Sequence, residues 1–159
     1  MNKTELIEQI ISQLSHDLDV FTTAAKTAHE ASIHEENLPD NKYDTLALEA
    51  SYVAQGQANR ASEIRQAIDA YKNLTLHQSD TEEIRLTSLI TLEDKDGAYK
   101  LVFIGPLEGG MKIINHQAEV ILITPGSPLG TALIGKTVGD EVSTEAGPHK
   151  TSYQIVAFC

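Results

Sequence analysis

The sequence predicts an α+β protein: an N-terminal antiparallel α-helical coiled-coil hairpin followed by a small antiparallel β-sheet domain with one short helix. Three observations lead there. Apolar residues repeat at helical spacing through two long segments in the first half of the chain; the repeat changes to alternation in the second half; and a Ser-Pro start with a Gly stop marks one short helix inside the alternating region.

The first helical segment runs from Thr4 to about Glu35, without Pro or Gly, and places Leu6, Ile10, Leu14, Leu18, Phe21, Ala25 and Ala28 at alternating spacings of three and four. The second carries Leu46, Ala50, Val53, Gln57, Ala61, Ile64, Ile68 and Tyr71 in the same rhythm. Two such helices with a short connection pack as an antiparallel hairpin. Leu, Ile and Phe dominate its seam near the open end, and alanines (Ala24, Ala25, Ala28, Ala47, Ala50, Ala54, Ala58) dominate toward the turn. About 30 residues per helix at a rise of about 1.5 Å each make a rod about 45 Å long, a shape suited to probing. An ordinary hairpin lying along another subunit accounts for the period equally well.

Residues 73 to 80 lose the helical repeat and read as a linker, which sets the expected domains at 1–75 and 80–159. Ile84, Leu86, Ser88, Ile90 and Leu92 then alternate as in a strand, Asp94-Lys95-Asp96-Gly97 supplies turn chemistry, and Tyr99 to Ile104 reads as the next strand. Further strands are expected at Val120 to Thr124, Glu141 to Thr144 and Thr151 to Ala157. Between them, Ser127 is placed to cap a helix that has Pro128 at its first position and Gly135 beyond its end.

Composition narrows the function classes. The chain has 159 residues, a net charge of −11 and 41% apolar residues. Residues 1 to 72 hold six Lys or Arg against twelve Asp or Glu, and the remainder six against eleven, so neither half is basic. Strong binding to a phosphate backbone needs clustered cations, so a basic protein surface is the better partner. The apolar runs, such as Val120 to Ile123, are too short to span a bilayer, and the N-terminus lacks the apolar core of a signal peptide, so a cytoplasmic monomer with no membrane contact is expected. The one cysteine, Cys159, makes an internal disulfide or cysteine metal cluster impossible. His29 and His34 do not share a helix face and read as solvated surface.

The segment Ser127-Pro128-Leu129-Gly130-Thr131-Ala132-Leu133-Ile134-Gly135-Lys136-Thr137-Val138-Gly139-Asp140-Glu141-Val142 is similar to the Ser-Pro-x-small-x-Ala-Leu-Ile-Gly-Lys-x-x-Gly-Asp-x-Val signature of the C-terminal domain of the Gre family of bacterial transcription elongation factors. The hairpin, with Glu36-Asn37-Leu38-Pro39-Asp40-Asn41 at its turn, resembles the family's N-terminal region. This resemblance implies an FKBP-like fold for the sheet domain, RNA polymerase core as the partner, and a hairpin that enters the polymerase's secondary channel, with transient contact to the nascent RNA 3′ end. It also implies Ser127, Pro128, Lys136, Gly139 and Asp140 as candidate polymerase-binding positions. Capping and turn formation explain most of that segment, and Lys136 is the residue most free to touch a partner.

In Gre factors the turn carries an Asp-x-x-Glu-Asn motif whose carboxylates help hold a second Mg2+ for hydrolysis of backtracked RNA, the metal being shared with the polymerase and not bound by the factor alone. This chain has Asn37 in place of the Asp and Asp40 in place of the Glu, while Asn41 matches. An amide oxygen is a poorer Mg2+ ligand than a carboxylate, and Asp has a shorter reach than Glu. Asp40 is then the candidate metal ligand and Glu36 the nearest compensating carboxylate, while Tyr43, close to the turn, reads first as a seam or surface residue and second as an aromatic that stacks on RNA or nucleotide. Helix capping is the competing role for Asn37 and Asp40. Three functions are thus expected in descending order: assistance to RNA cleavage, a non-cleaving regulator at the same site, and an isomerase or chaperone suggested by the FKBP-like fold alone. In none of the first two does the chain itself turn over substrate.

Overall fold

The computed structural model describes residues 2–36, 42–77, 82–146 and 148–159. The element order is α1 (Lys3–Glu36), α2 (Lys42–Lys72), β1 (Leu89–Glu93), β2 (Tyr99–Ile104), β3 (Lys112–Asn115), β4 (Ala118–Ile123), α3 (Pro128–Leu133), β5 (Glu141–Ala146) and β6 (His149–Phe158). The α+β class with two long N-terminal helices and one short helix within a sheet domain is as the sequence predicts. The chain forms two compact units, Ile11–Asp69 and a second that joins Met1–Ile10 to Ala70–Cys159. The first turns of α1 and the last turn of α2 therefore belong with the sheet.

In the helical unit the buried residues are Leu14, Ala61, Ile64, Ala67 and Ile68. Beyond Leu14 on α1 and before Ala61 on α2, no described side chain is fully buried. A single seam between two helices buries only what the facing residues cover, and alanines cover little. Val53, expected in the seam, is accordingly 53% exposed. Arg60 stabilises this stretch from the side, with its guanidinium 6.0 Å from the Phe21 ring centroid and 3.2 Å from Glu63.

The second unit is built on a six-stranded sheet of order β3-β4-β2-β1-β6-β5. The expected antiparallel pairing holds except between β2 and β4, which run parallel because β3 takes the intervening pass and returns the chain beside β2. Alternation sorts the side chains into two faces. One face, with Ile90, Leu92, Val102, Ile104, Val142 and Ile155, buries Leu133 of α3. On the other, the cross-strand row Leu89, Phe103 and Leu122 is buried as well.

Two departures from the expected strands have local causes. The alternation from Ile84 to Leu92 yields a strand only from Leu89. Thr87 takes a φ of 74°, and the Ser88 hydroxyl accepts from Arg85 N–H at 3.0 Å, so the chain turns before it pairs. Strand β3 was not anticipated, because its hairpin with β4 turns on His116 (φ 46°) and Gln117 (φ 71°) in place of the Asn-Gly pair that signals such turns. The turn at Asp94 to Gly97 is as expected: Asp94 Oδ1 accepts from the N–H groups of Asp96 and Ala98, both at 2.9 Å.

Candidate functional site

The segment that carries the resemblance forms α3 and the loop after it. Ser127 Oγ donates to the Thr124 carbonyl at 2.7 Å and accepts from Gly130 N–H at 3.0 Å, which makes it the N-cap, with Pro128 following in the first turn. A Cβ on Gly130 would overlap the Thr124 carbonyl oxygen, so glycine is required there. After the helix, Gly135 N–H donates to the Ile84 carbonyl and Ile84 N–H to the Lys136 carbonyl, both at 2.8 Å. This pins the loop to the chain just before the sheet.

Downstream, Asp140 Oδ2 accepts from Thr137 N–H at 2.9 Å. Gly139 adopts a φ of 91° and its N–H donates to the Ile155 carbonyl at 2.8 Å, while Ile155 N–H donates to the Asp140 carbonyl at 2.9 Å. Of the five candidate polymerase-binding positions, Ser127, Pro128, Gly139 and Asp140 thus have architectural tasks. Lys136 spends only its backbone and leaves its side chain exposed. The exposed Ile134 and Val138, at 39% and 53%, flank it in sequence.

The turn between the long helices supplies the other candidates. Asn37, Asp40 and Asn41 lie outside the described residues, and Glu36 and Tyr43 are placed only as the last position of α1 and the second of α2. Among the described residues, no group of three or more His, Cys, Asp or Glu is arranged to hold a metal ion. Whether Mg2+ fits the turn therefore rests on donor chemistry. The turn offers one amide where the family has one carboxylate and a short carboxylate where it has a long one, so the donor set does not match a two-carboxylate clamp.

Two further features escaped the sequence reading. The Lys3 ammonium donates to the carbonyls of His77 and Thr87, each at 2.9 Å, and so ties the start of α1 to the linker and to the turn just before β1. Burial pulls this lysine below its ordinary pKa, with Cys159 opposing the shift and Arg85 adding to it. Asn115, fully buried, donates to Gln9 Oε1 at 2.9 Å, and His116 Nε2 lies 3.1 Å from Glu5. A lysine or an asparagine in isolation carries no sequence signal for such long-range contacts.

Two long helices ahead of a sheet domain that carries this capped helix and glycine loop form the two-part arrangement that the signature segment led us to expect. Residues 78–158 match the family model described as transcription elongation factor, GreA/GreB, C-term, and the chain belongs to this family. It is similar to the transcription inhibitor protein Gfh1 of Thermus thermophilus, with 26% identity over 164 residues that cover 95% of this chain and 91% of that protein. Among solved structures it resembles Thermus aquaticus Gfh1, at 26% identity over 95% of this chain and 92% of that one, with a TM-score of 0.40. A GreA/GreB elongation factor from Nitrosomonas europaea is similar at 17% identity over 82% and 90% of the two chains, with a TM-score of 0.37. The family acts with RNA polymerase. No helix among the described residues is long and apolar enough to cross a membrane.

Proposed function

We propose that the chain binds RNA polymerase core through the sheet domain, places its helical hairpin in the secondary channel, and regulates transcription there without stimulating RNA cleavage. The observation that carries the non-cleaving reading is the turn itself: Asn37 and Asp40 replace the two carboxylates with which Gre factors help hold the second Mg2+. A neutral amide adds only a dipole near a hydrated dication, whereas a carboxylate stabilises both the ion and the hydroxide it generates. The similarity along nearly the whole chain to a protein named as a transcription inhibitor supports the same choice. Net charge of −11 favours a basic docking surface over nucleic acid. On this reading the protein alone has no turnover, and its effect is occupancy.

A second reading, cleavage assistance through Asp40 with Glu36 in support, keeps a footing because Asn41 still matches the family and Asp40 retains a charge. The test is a transcription assay on defined backtracked complexes, with and without the full chain, beside a binding titration on core polymerase. Binding with slowed transcription and no added cleavage supports the non-cleaving role. Accelerated cleavage replaces it with the second reading, and absence of binding at micromolar concentration removes both.

A further inference from the structure

Four features that weaken a helical hairpin fall at one level of this one, about halfway along both helices. The first is Gln57. It takes a seam position of α2, in the run Ala50, Ala54, Gln57, Ala61, Ile64 and Ile68, and among the described residues nothing donates to its buried Oε1. A buried acceptor left without a donor keeps its full desolvation cost for as long as the seam stays closed. The second is Gly56 beside it, inside a helix where only proline is a poorer former than glycine. A Cβ at Gly56 would meet nothing within 4 Å, so packing does not call for glycine there.

The third lies on the facing helix. Phe21 faces Arg60, and Ala25 and Ala58 line one cleft, so Val20-Phe21-Thr22-Thr23 stands level with this stretch of α2. Four successive β-branched or aromatic residues lose side-chain freedom in a helix and weaken it. The fourth is the cleft itself, about 360 Å³, with Ala25 and His29 on α1 and Ser51, Ala54 and Ala58 on α2. Facing side chains that leave such a gap forfeit the burial and dispersion that would hold the seam closed.

On the root side of this level Leu14, Ala61, Ile64 and Ile68 are buried, whereas Val20, Ile33, Leu48, Tyr52 and Val53 are exposed at or beyond it. We propose that Gly56 and Gln57 form a hinge that divides the hairpin into a closed root and a distal segment, Thr22 to Ile33 with Leu48 to Gln57, which opens as one unit while the root stays folded. Local opening costs less where fewer apolar contacts are broken, and the distal segment has few to break. The chain between the helices, which holds Asn37 and Asp40, is carried by the segment that opens. Those two residues can therefore be repositioned with no change in the seam from Ala61 to Ile68. The inference stands on the hairpin alone and does not require the polymerase reading.

Hydrogen exchange on the full chain, followed by mass spectrometry, tests it. Amide protection is expected to step down at Gln57 on α2 and near Thr22 on α1, with one common opening for all amides of the distal segment. Gln57→Met keeps the length of the side chain and removes the orphaned oxygen, so it slows distal exchange about tenfold and leaves the root unchanged. Gly56→Ala slows distal exchange about fourfold. Gln55→Met, at an exposed neighbouring position, leaves it unaltered. A smooth gradient of protection from the turn to the root, as simple fraying produces, overturns the hinge. So does unchanged distal exchange in Gln57→Met, or equal slowing in Gln55→Met, which would trace the effect to the helix surface and not to the seam.

Discussion

The Tyr71 hydroxyl donates a 2.6 Å hydrogen bond to the Leu107 carbonyl and occupies the space that a side chain on Gly105 would need. The last turn of α2 is thereby fixed to the loop after β2. A methyl group on Gly105 would overlap that hydroxyl and come within 2.9 Å of Leu122 Cδ1, and neither neighbour is free to leave, since Tyr71 and Leu122 are each 1% exposed. Gly105→Ala is expected to cost about 1–3 kcal/mol by overpacking. Tyr71→Phe, which removes only the hydrogen bond, should cost about 1 kcal/mol. Scanning calorimetry of both variants checks the order.

The same tyrosine makes stability sensitive to alkali. Burial pushes the Tyr71 phenol well above its ordinary value of 10.0, and the nearby Glu108 charge adds to the shift. Above pH 10 the unfolded chain loses a proton that the folded chain keeps, so the folded state binds more protons and stability falls as pH rises. Tyr71's contribution is complete below pH 10 and lost above it. Denaturant midpoints measured from pH 9 upward should decline more steeply for the unaltered chain than for Tyr71→Phe; parallel curves would contradict the assignment.

The β3–β4 turn holds avoidable strain. His116 and Gln117 both lie in the left-handed region, where a side chain costs roughly 1–2 kcal/mol. Gln117 is exposed, so Gln117→Gly relieves strain without removing core contacts. Offset against the entropy of glycine, roughly 0.5–1 kcal/mol, a net gain of up to about 1.5 kcal/mol is expected, visible as a higher Tm. His116 is the poorer choice, because it faces Glu5 at 3.1 Å.

Ser127 and Lys136 should separate architecture from docking. Ser127→Ala removes an N-cap and is expected to lower stability by about 1 kcal/mol. Lys136→Glu alters an exposed side chain and leaves the backbone bonds of the loop in place, so it should weaken polymerase binding with Tm unchanged. A binding titration and a melting curve on each variant decide it. A Lys136→Glu protein that binds normally would take that side chain out of the docking surface.

How legible these features were depends on how local their causes are. The period of α1 and α2, the Asp94 turn and the Ser127 cap are set by residues within four positions of one another, and sequence spacing captures them. Strand β3 was missed because tertiary pairing with β4 overrides a turn with no glycine in it. Tyr71 read only as one more seam residue, since its bond to Leu107 joins positions 36 apart. Lys3 reaches Thr87 over 84 positions, and no periodicity reports that.

The turn between the helices offers the sharpest chemical test. If the absence of a carboxylate at position 37 is what prevents cleavage, Asn37→Asp should produce measurable stimulation of RNA cleavage in backtracked complexes, and Asn37→Asp with Asp40→Glu should produce more. The reason is electrostatic: each restored carboxylate oxygen carries formal charge toward a dication that keeps most of its waters, and the longer Glu side chain recovers the reach that Asp lacks. Asp40→Asn in the unaltered background should then change little, because there is no activity to lose. Helix capping gives a different pattern. Exchanging Asn for Asp at a cap alters stability by about 1 kcal/mol or less, and on that account cleavage stays at the polymerase's own level in every variant. A cleavage time course and a melting curve on the three variants separate the two, and stimulation by the unaltered chain that disappears in Asp40→Asn would replace the non-cleaving role with direct assistance by Asp40.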